Sequence, residues 1–301
     1  MFAFLHHPEI NPVILPIAGA FAIRWYSLMY VLGFLFVYLF VSNEIKKGRI
    51  RFTETDLSDV IFYAFFGVIL GGRIGYVLFY NFSYYLQNPI EIFKVWEGGL
   101  SFHGGLIGVL TMEWIYSITK KKNYFDLGDL FTVPIPFCLA LGRWGNFVNG
   151  ELWGKPTTAP WGMIFPAVPE KQWFPVSEPW VKEFMDKIGM TVAPGQTLVN
   201  LPRHPSQLYE MLMEGLLLFI ILFILYKIKK WPRGFIFSCF FLGYGIFRFI
   251  AEFFREPDIQ VGYLSGGWFT MGMLLCIPMI ITGLAGLYFS LTRKKRNELW
   301  V

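Results

Sequence analysis

Runs of about 20 predominantly apolar residues recur along this chain. Each is long enough to cross a ~30 Å hydrocarbon core at 1.5 Å per residue. In hydrocarbon the backbone polar groups must find partners within the segment itself, so such runs form helices. They predict an all-α integral membrane protein with seven transmembrane helices, at about 22–42, 57–80, 100–119, 128–147, 207–227, 234–252 and 267–290. Composition agrees, since 55% of the 301 residues are hydrophobic and only 16% charged, against about a quarter charged in soluble domains. The stretch from Met1 to Leu15 has no basic region and no small-residue cleavage site, so no removable signal peptide is expected.

The connections sort by charge. Lys46, Lys47, Arg49 and Arg51 follow the first span, and Lys120, Lys121 and Lys122 follow the third. Lys227, Lys229, Lys230 and Arg233 follow the fifth, and Arg293, Lys294, Lys295 and Arg296 follow the seventh. These sets hold fifteen of the 26 Lys and Arg residues, and seven alternating spans place all of them on one face. The positive-inside rule makes that face cytoplasmic, with the N-terminus outside and the C-terminus inside. The net charge of +5 is thus a membrane-orientation pattern, and no nucleic-acid partner is expected. Cys138, Cys239 and Cys276 all fall in apolar runs, with no CxxC spacing and no nearby His, which indicates neither a metal site nor a disulfide framework.

Residues 1–301 read as a single polytopic membrane domain without an internal repeat. One outer connection, 148–206 between spans four and five, is too long for a turn and carries nine prolines with Trp153, Trp161, Trp173 and Trp180. A long, tryptophan-rich loop predicts an extracytoplasmic cap resting at the lipid–water interface.

A charged side chain within the bilayer costs at least ~2.5 kcal/mol on insertion scales and needs a reason. Arg73, Arg143, Arg248 and Glu252 lie within spans, each in the outer half or at the outer end of its helix. His103 and Tyr26 begin spans at the same level, and Glu210 and Glu214 sit in the first turns of the fifth. Any single arginine is explained by snorkelling. Six helices bringing polar groups to one depth instead predict a polar cavity open to the outer leaflet. Glu113 is the exception, near the inner end of its span, where it faces the bundle or reaches the inner interface. Glycines surround these residues: Gly71 and Gly72, Gly98 and Gly99, Gly104 and Gly105, and Gly142, Gly145, Gly150 and Gly154. Two compatible readings stand for them, close helix approach and backbone access to a phosphate.

The stretch Gly142-Arg143-Trp144-Gly145-Asn146-Phe147-Val148-Asn149-Gly150-Glu151-Leu152-Trp153-Gly154 resembles the signature of prolipoprotein diacylglyceryl transferases, G-R-x-G-N-F-x-N-x-E-x-x-G, with every fixed position filled. His103 to Gly108 resembles that family's H-G-G-L-x-G box. Arg24-Trp25-Tyr26, Gly71 to Tyr76, His204 to Glu210, and Arg248 with Glu252 to Asp258 are similar in the same way. The resemblance implies transfer of the diacylglyceryl group of phosphatidylglycerol to the lipobox cysteine of a prolipoprotein carrying its signal peptide. A thioether forms and glycerol 1-phosphate is released, at the outer side of the bacterial cytoplasmic (inner) membrane, with no metal and no cofactor. It further implies that Arg143 and Arg248 are phospholipid-binding and catalytic, that His103 is the base, and that Tyr26, Asn146, Glu151, Gly154 and Glu252 are functionally sensitive.

The chemistry suits those residue types. A thiol of pKa ~8.5 is only a few per cent thiolate at neutral pH and needs a base or a positive field. His103 fits the base; as an isolated histidine it would be read as a helix cap. Planar arginine forks on separate helices fit a phosphate that gains charge as it leaves. With Arg143 and Arg248, the phospholipid-binding set is Tyr26, Arg73, Asn146 and Gly154. Glu151 and Glu252 are candidates to orient the arginines, or to form structural ion pairs. The competing class is a phospholipid transporter or flippase with an outer-leaflet anionic headgroup site. Transport sites usually lie near the midplane within repeated halves, whereas here the charges lie at one face, the helix count is odd and repeats are absent.

Overall fold

The computed structural model describes residues 5–18, 21–48, 50, 52–95, 98–257 and 262–292, and of Ala18, Phe21, Phe102 and His103 the backbone alone. Arg49, Arg51, Asp258, the 293–296 basic set and the side chain of His103 therefore lie outside the described residues. The helices are α1 (Trp25–Lys46), α2 (Glu54–Phe79), α3 (Phe82–Gln87), α4 (Phe102–Thr119), α5 (Tyr124–Phe131), α6 (Ile135–Val148), α7 (Pro179–Ile188), α8 (Ser206–Glu210), α9 (Leu218–Ile228), α10 (Phe235–Glu252) and α11 (Met271–Thr292). A π-helical stretch, Met211–Leu217, joins α8 to α9, so these three form one continuous rod.

Among the described residues five helices, α1, α2, the Ser206–Ile228 rod, α10 and α11, are long and apolar enough to cross a membrane. The α5–α6 pair makes a sixth if its two halves, bent by 47° at Thr132–Pro134, are taken as one span. Proline explains the break, because Pro134 and Pro136 lack the N–H that a continuous helix needs. The expected third span is present as α4, but it is not among the helices that meet both length and apolarity. The protein is therefore a helical integral membrane protein with five or six such spans by length and composition. Two boundaries also differ from expectation. Residues 22–24 and 269–270 belong to short antiparallel hairpins that lead into α1 and α11, where a strand pair satisfies the backbone before the helix begins.

Local chemistry sets the helix starts. Thr53 and Asp56 form a reciprocal capping box at α2, with Asp56 N–H donating to Thr53 Oγ1 at 3.1 Å and Thr53 N–H to Asp56 Oδ2 at 2.8 Å. Ser101 caps α4 by accepting from Gly104 N–H at 3.2 Å. The start of α10 is capped from another helix, since buried Asp129 of α5 accepts from Gly234 N–H at 2.6 Å and Phe237 N–H at 2.7 Å.

One end of the bundle gathers basic residues, several of them paired with an acid. Lys227 meets Glu44 at 2.7 Å, Lys122 meets Asp56 and Lys120 meets Asp59 at 2.8 Å, and Arg233 meets Asp126 at 2.7 Å. A core built from Val41, Leu57, Val60, Tyr116, Leu127, Leu130, Leu218 and Leu222 fills the adjoining half. At the other end, residues 149–205 fold into an ordered unit with its own small core of Val181, Met185, Val199 and Leu201 beneath α7. Residues 5–6 add a strand to it, pairing in parallel with 163–164.

Helices α2 and α4 pack backbone to backbone through glycine. A Cβ on Gly67 would lie 2.8 Å from the Gly108 carbonyl carbon, and one on Gly75 would lie 2.7 Å from Gly104 Cα. Gly71 faces Gly104 and Gly108 just as closely. Close helix approach thus accounts for Gly71 and Gly104.

Candidate active site

Four chain segments meet at the cap end: the last turns of α6, the first turns of the Ser206–Ile228 rod, the end of α10 and the residues just beyond it. Apolar flanks bury the side chains they bring, so the charges are taken up by one another. Glu210, fully buried, lies at the centre. Its Oε2 is 2.7 Å from Arg143 Nε and 3.0 Å from Arg248 Nη1, while its Oε1 is 3.3 Å from Arg255 Nη1. Glu214, one turn on, stands 3.5 Å from Arg248 and 3.8 Å from Arg143. Glu252 pairs with Arg248 four residues earlier on α10 and accepts a hydrogen bond from Thr270 Oγ1 at 2.7 Å.

The two guanidiniums that touch Glu210 Oε2 come from different helices and share one anionic oxygen. A buried arginine has five N–H donors and no way to lose its charge, so it takes whatever anion is present. The arrangement can therefore hold an oxyanion between two planar forks. Asn146 extends it sideways: its Oδ1 is 3.5 Å from Arg143 Nη1, and its amide donates to Glu151 Oε1 at 2.9 Å. Asn149 donates to the same Glu151 oxygen at 3.1 Å. Tyr26 lies within electrostatic reach of Arg143 and Glu151, bonds Tyr30 through its hydroxyl at 2.9 Å and packs against Gly145, where a Cβ would sit 2.9 Å from the ring.

The expected site residues divide. Arg143, Arg248, Asn146 and Glu252 are brought together. Glu151 is linked to Arg143 through Asn146. Gly154 is elsewhere, at the seam between cap and bundle. Its N–H donates to the His204 carbonyl at 2.8 Å, and a Cβ there would lie 2.7 Å from His204 Cβ. Gly150 and Leu152 turn the signature loop toward this seam with left-handed φ values of 63° and 60°. Ser206 and Gln207 hold it by donating to the carbonyls of Leu152 at 2.8 Å and Glu151 at 2.6 Å.

Arg73 is also apart from the cluster. Its guanidinium donates to four backbone carbonyls, Glu91 and Gly98 at 2.6 Å, Ile92 at 2.8 Å and Gly99 at 3.2 Å. Every N–H-bearing nitrogen is engaged with the segment between α3 and α4, which makes Arg73 an anchor for that segment. The backbone of His103 lies in the first turn of α4, next to the Ser101 cap.

Several participants carried a sequence signal without an assigned role. Glu210 and Glu214 stood at the right depth, and Arg255 stood within the motif that ends α10. Arg203 had no signal, lying in an aperiodic stretch between prolines. It is only 1% exposed and ties the cap down, with Nη1 3.0 Å from Glu256 Oε2 and Nη2 donating to the Gln172 carbonyl at 3.0 Å. Beside it, His204 Nδ1 is 3.0 Å from the Tyr209 hydroxyl, which also accepts from Trp161 Nε1 at 2.6 Å. Burial first, and the nearby Lys155 second, hold the His204 imidazole below its ordinary pKa.

Residues 12–289 match the family described as prolipoprotein diacylglyceryl transferase. The chain is 45% identical over 297 residues to a protein of Oleidesulfovibrio alaskensis, covering 98% of each, and 43% identical over 292 residues to one of Coxiella burnetii, covering 97% of this chain and all of that one. A protein of Photobacterium profundum is 46% identical over 280 residues, 93% of each chain. All three bear the name phosphatidylglycerol–prolipoprotein diacylglyceryl transferase.

Proposed function

The chain belongs to the prolipoprotein diacylglyceryl transferase family, and on that premise we propose that Arg143 and Arg248 hold the phosphate of phosphatidylglycerol during transfer. The protein is a membrane-bound transferase of lipoprotein biosynthesis, and it moves the diacylglyceryl group of phosphatidylglycerol to prolipoproteins. The observation that carries the residue assignment is the shared oxygen of Glu210, which two guanidiniums from separate helices approach at 2.7 and 3.0 Å. A phosphate oxygen makes the same demand on two forks, with the geometry that arginine recognises.

The acceptor is the lipobox cysteine beside the precursor's signal peptide. Its sulfur attacks the glyceryl carbon that bears the phosphate, forming a thioether as the carbon–oxygen bond breaks. The thiol proton passes to His103, and glycerol 1-phosphate departs with the bonding electron pair. Charge grows on the phosphate as that bond breaks, so fixed guanidiniums in a water-poor site stabilise the transition state more than the ground state. Asn146 steadies Arg143, Glu252 steadies Arg248, and Tyr26 and Gly145 form the adjoining wall. No metal or cofactor is assigned a part.

This reading reaches seven spans by counting α4, the third in chain order, whose apolarity falls short by itself but which is sheathed along one face by α2. The lysine-rich end faces the cytoplasm by the positive-inside rule. The arginine cluster and the 148–206 cap then face the outer side of the bacterial inner membrane, with the N-terminus outside and the C-terminus cytoplasmic. Incubation of the purified chain with headgroup-labelled phosphatidylglycerol and a lipobox peptide tests the activity. Labelled glycerol phosphate is expected in equal amount to the peptide thioether; peptide modification without that release would exclude this reaction.

A further inference from the structure

The mechanism above gives no step to two carboxylates of the cluster, Glu210 and Glu214, and Glu214 is the more loosely held. It sits in the π-helical stretch Met211–Leu217, a rare backbone form that recurs at functional sites, and its side chain is 1% exposed. Its cationic neighbours are the two arginines assigned to the phosphate, Arg248 Nη1 at 3.5 Å and Arg143 Nη2 at 3.8 Å. Neither Glu214 Oε1 nor Glu210 Oε2 has a hydrogen-bond partner among the described residues, so ion-pair distance is what separates the two acids. The other two acids are held more closely. Glu210 meets three arginines at 2.7, 3.0 and 3.3 Å, and Glu252 pairs with Arg248 while accepting from Thr270 at 2.7 Å.

The charges of this cluster balance as they stand, with Arg143, Arg248 and Arg255 opposing Glu210, Glu214 and Glu252. A bound phosphodiester adds one negative charge. An uncompensated charge is costly away from water, and a carboxylate beside a new anion gains affinity for a proton. The acid with the fewest and longest contacts is the one that yields.

We propose that Glu214 is a positioning residue that takes up one proton from solvent as the phosphodiester of phosphatidylglycerol enters, which frees Arg143 and Arg248 to turn from carboxylate to phosphate. The inference rests on the arginine clamp proposed above. The other groups facing Glu214 are Glu210 on its own rod, Tyr244 and Arg255 on and just beyond α10, and Cys276 on α11. Tyrosine and thiol are ordinarily uncharged at pH 7, and arginine does not titrate.

Calorimetric titration of the detergent-purified chain with short-chain phosphatidylglycerol, repeated in buffers of different ionisation enthalpy, counts the protons exchanged. The wild type is expected to take up close to one proton per lipid at pH 8, its affinity falling by up to about tenfold per pH unit in that range. Glu214→Gln is expected to take up none, to bind more tightly than the wild type at pH 8, and to lose the pH dependence. Wild-type binding without proton uptake, or a variant that takes up as many protons as the wild type, overturns this inference alone. Phosphatidylglycerol that fails to bind the wild type overturns the clamp and the inference together. The wild-type count stands without the variant, so a misfolded Glu214→Gln protein still leaves a decisive measurement.

Discussion

A guanidinium inside a membrane protein persists only where its donors are met, and the arginines here meet that need in two ways. Arg73 donates to four backbone carbonyls, which are fixed parts of the fold. Arg143 and Arg248 face carboxylates, which an incoming phosphate can replace. Arg73→Gln is therefore expected to lower the Tm while leaving KM for phosphatidylglycerol within about twofold, because four buried charge-assisted bonds, each worth roughly 1.5–3 kcal/mol, are lost from the 91–99 segment. A large rise in KM at unchanged Tm would return Arg73 to the lipid. His103→Gln is expected to lose most activity and to regain part of it as pH rises toward the thiol's own pKa, since hydroxide then supplies the thiolate. A uniformly low profile would remove His103 from the base role. What the sequence made legible at this scale was an arginine's expense, not its partner. Arg73, Arg143 and Arg248 stand at equal depth, and only the fold reveals carbonyls around one and acids around the others. Arg203 lacked even that signal, because an aperiodic loop gives no depth to read.

Elements show the same division between pattern and contact. Five of the seven expected spans are helices long and apolar enough to cross a membrane among the described residues, and a sixth is broken at Pro134 and Pro136, which the apolar-run reading passed over. The glycines on α2 and α4 left two readings open, because spacing alone does not say whether a bare backbone faces a helix or a phosphate. The contacts of Gly67, Gly71 and Gly75 with Gly104 and Gly108 answer for that face. Gly67→Ala is expected to cost about 1–3 kcal/mol by overpacking, read as a lower Tm in detergent; an unchanged Tm would show that the two helices separate freely. The cap was expected from its tryptophans, yet its attachment through Gly154, Arg203 and His204 was not legible. The pKa of His204 is depressed, first by burial and then by the nearby Lys155. Its stabilising contribution is thus present above the unfolded pKa of ~6.5 and is lost as pH falls through the lower folded value. Amide exchange across residues 154–163, corrected for chemical exchange rates, is expected to quicken on acidification from pH 7 toward pH 5, and Glu or Asp protonation alone would leave the same change in His204→Gln.

For the whole molecule, the two ends of the bundle carry different chemistry. One end pairs lysines with acids at the helix tips, and the other encloses arginines with glutamates beneath a folded cap. Single cysteines introduced in a background with Cys138, Cys239 and Cys276 changed to alanine report which end is outside. That background is expected to remain active, since the acceptor sulfur belongs to the precursor and Cys138 merely packs against Gly33, with Sγ 3.2 Å from its carbonyl. An impermeant maleimide is expected to label the 148–206 cap and spare the 120–122 loop in intact cells; the reverse pattern would invert the orientation. The central claim, that two arginine forks hold the leaving phosphate, is tested most directly by mass spectrometry of a lipobox peptide incubated with phosphatidylglycerol and purified wild type, Arg143→Lys or Arg248→Lys. The wild type is expected to add one diacylglyceryl group per peptide, and each lysine variant to work at least about 100-fold more slowly although its charge is kept, as for loss of a transition-state donor. A folded variant of either kind that modifies the peptide at the wild-type rate would contradict the clamp.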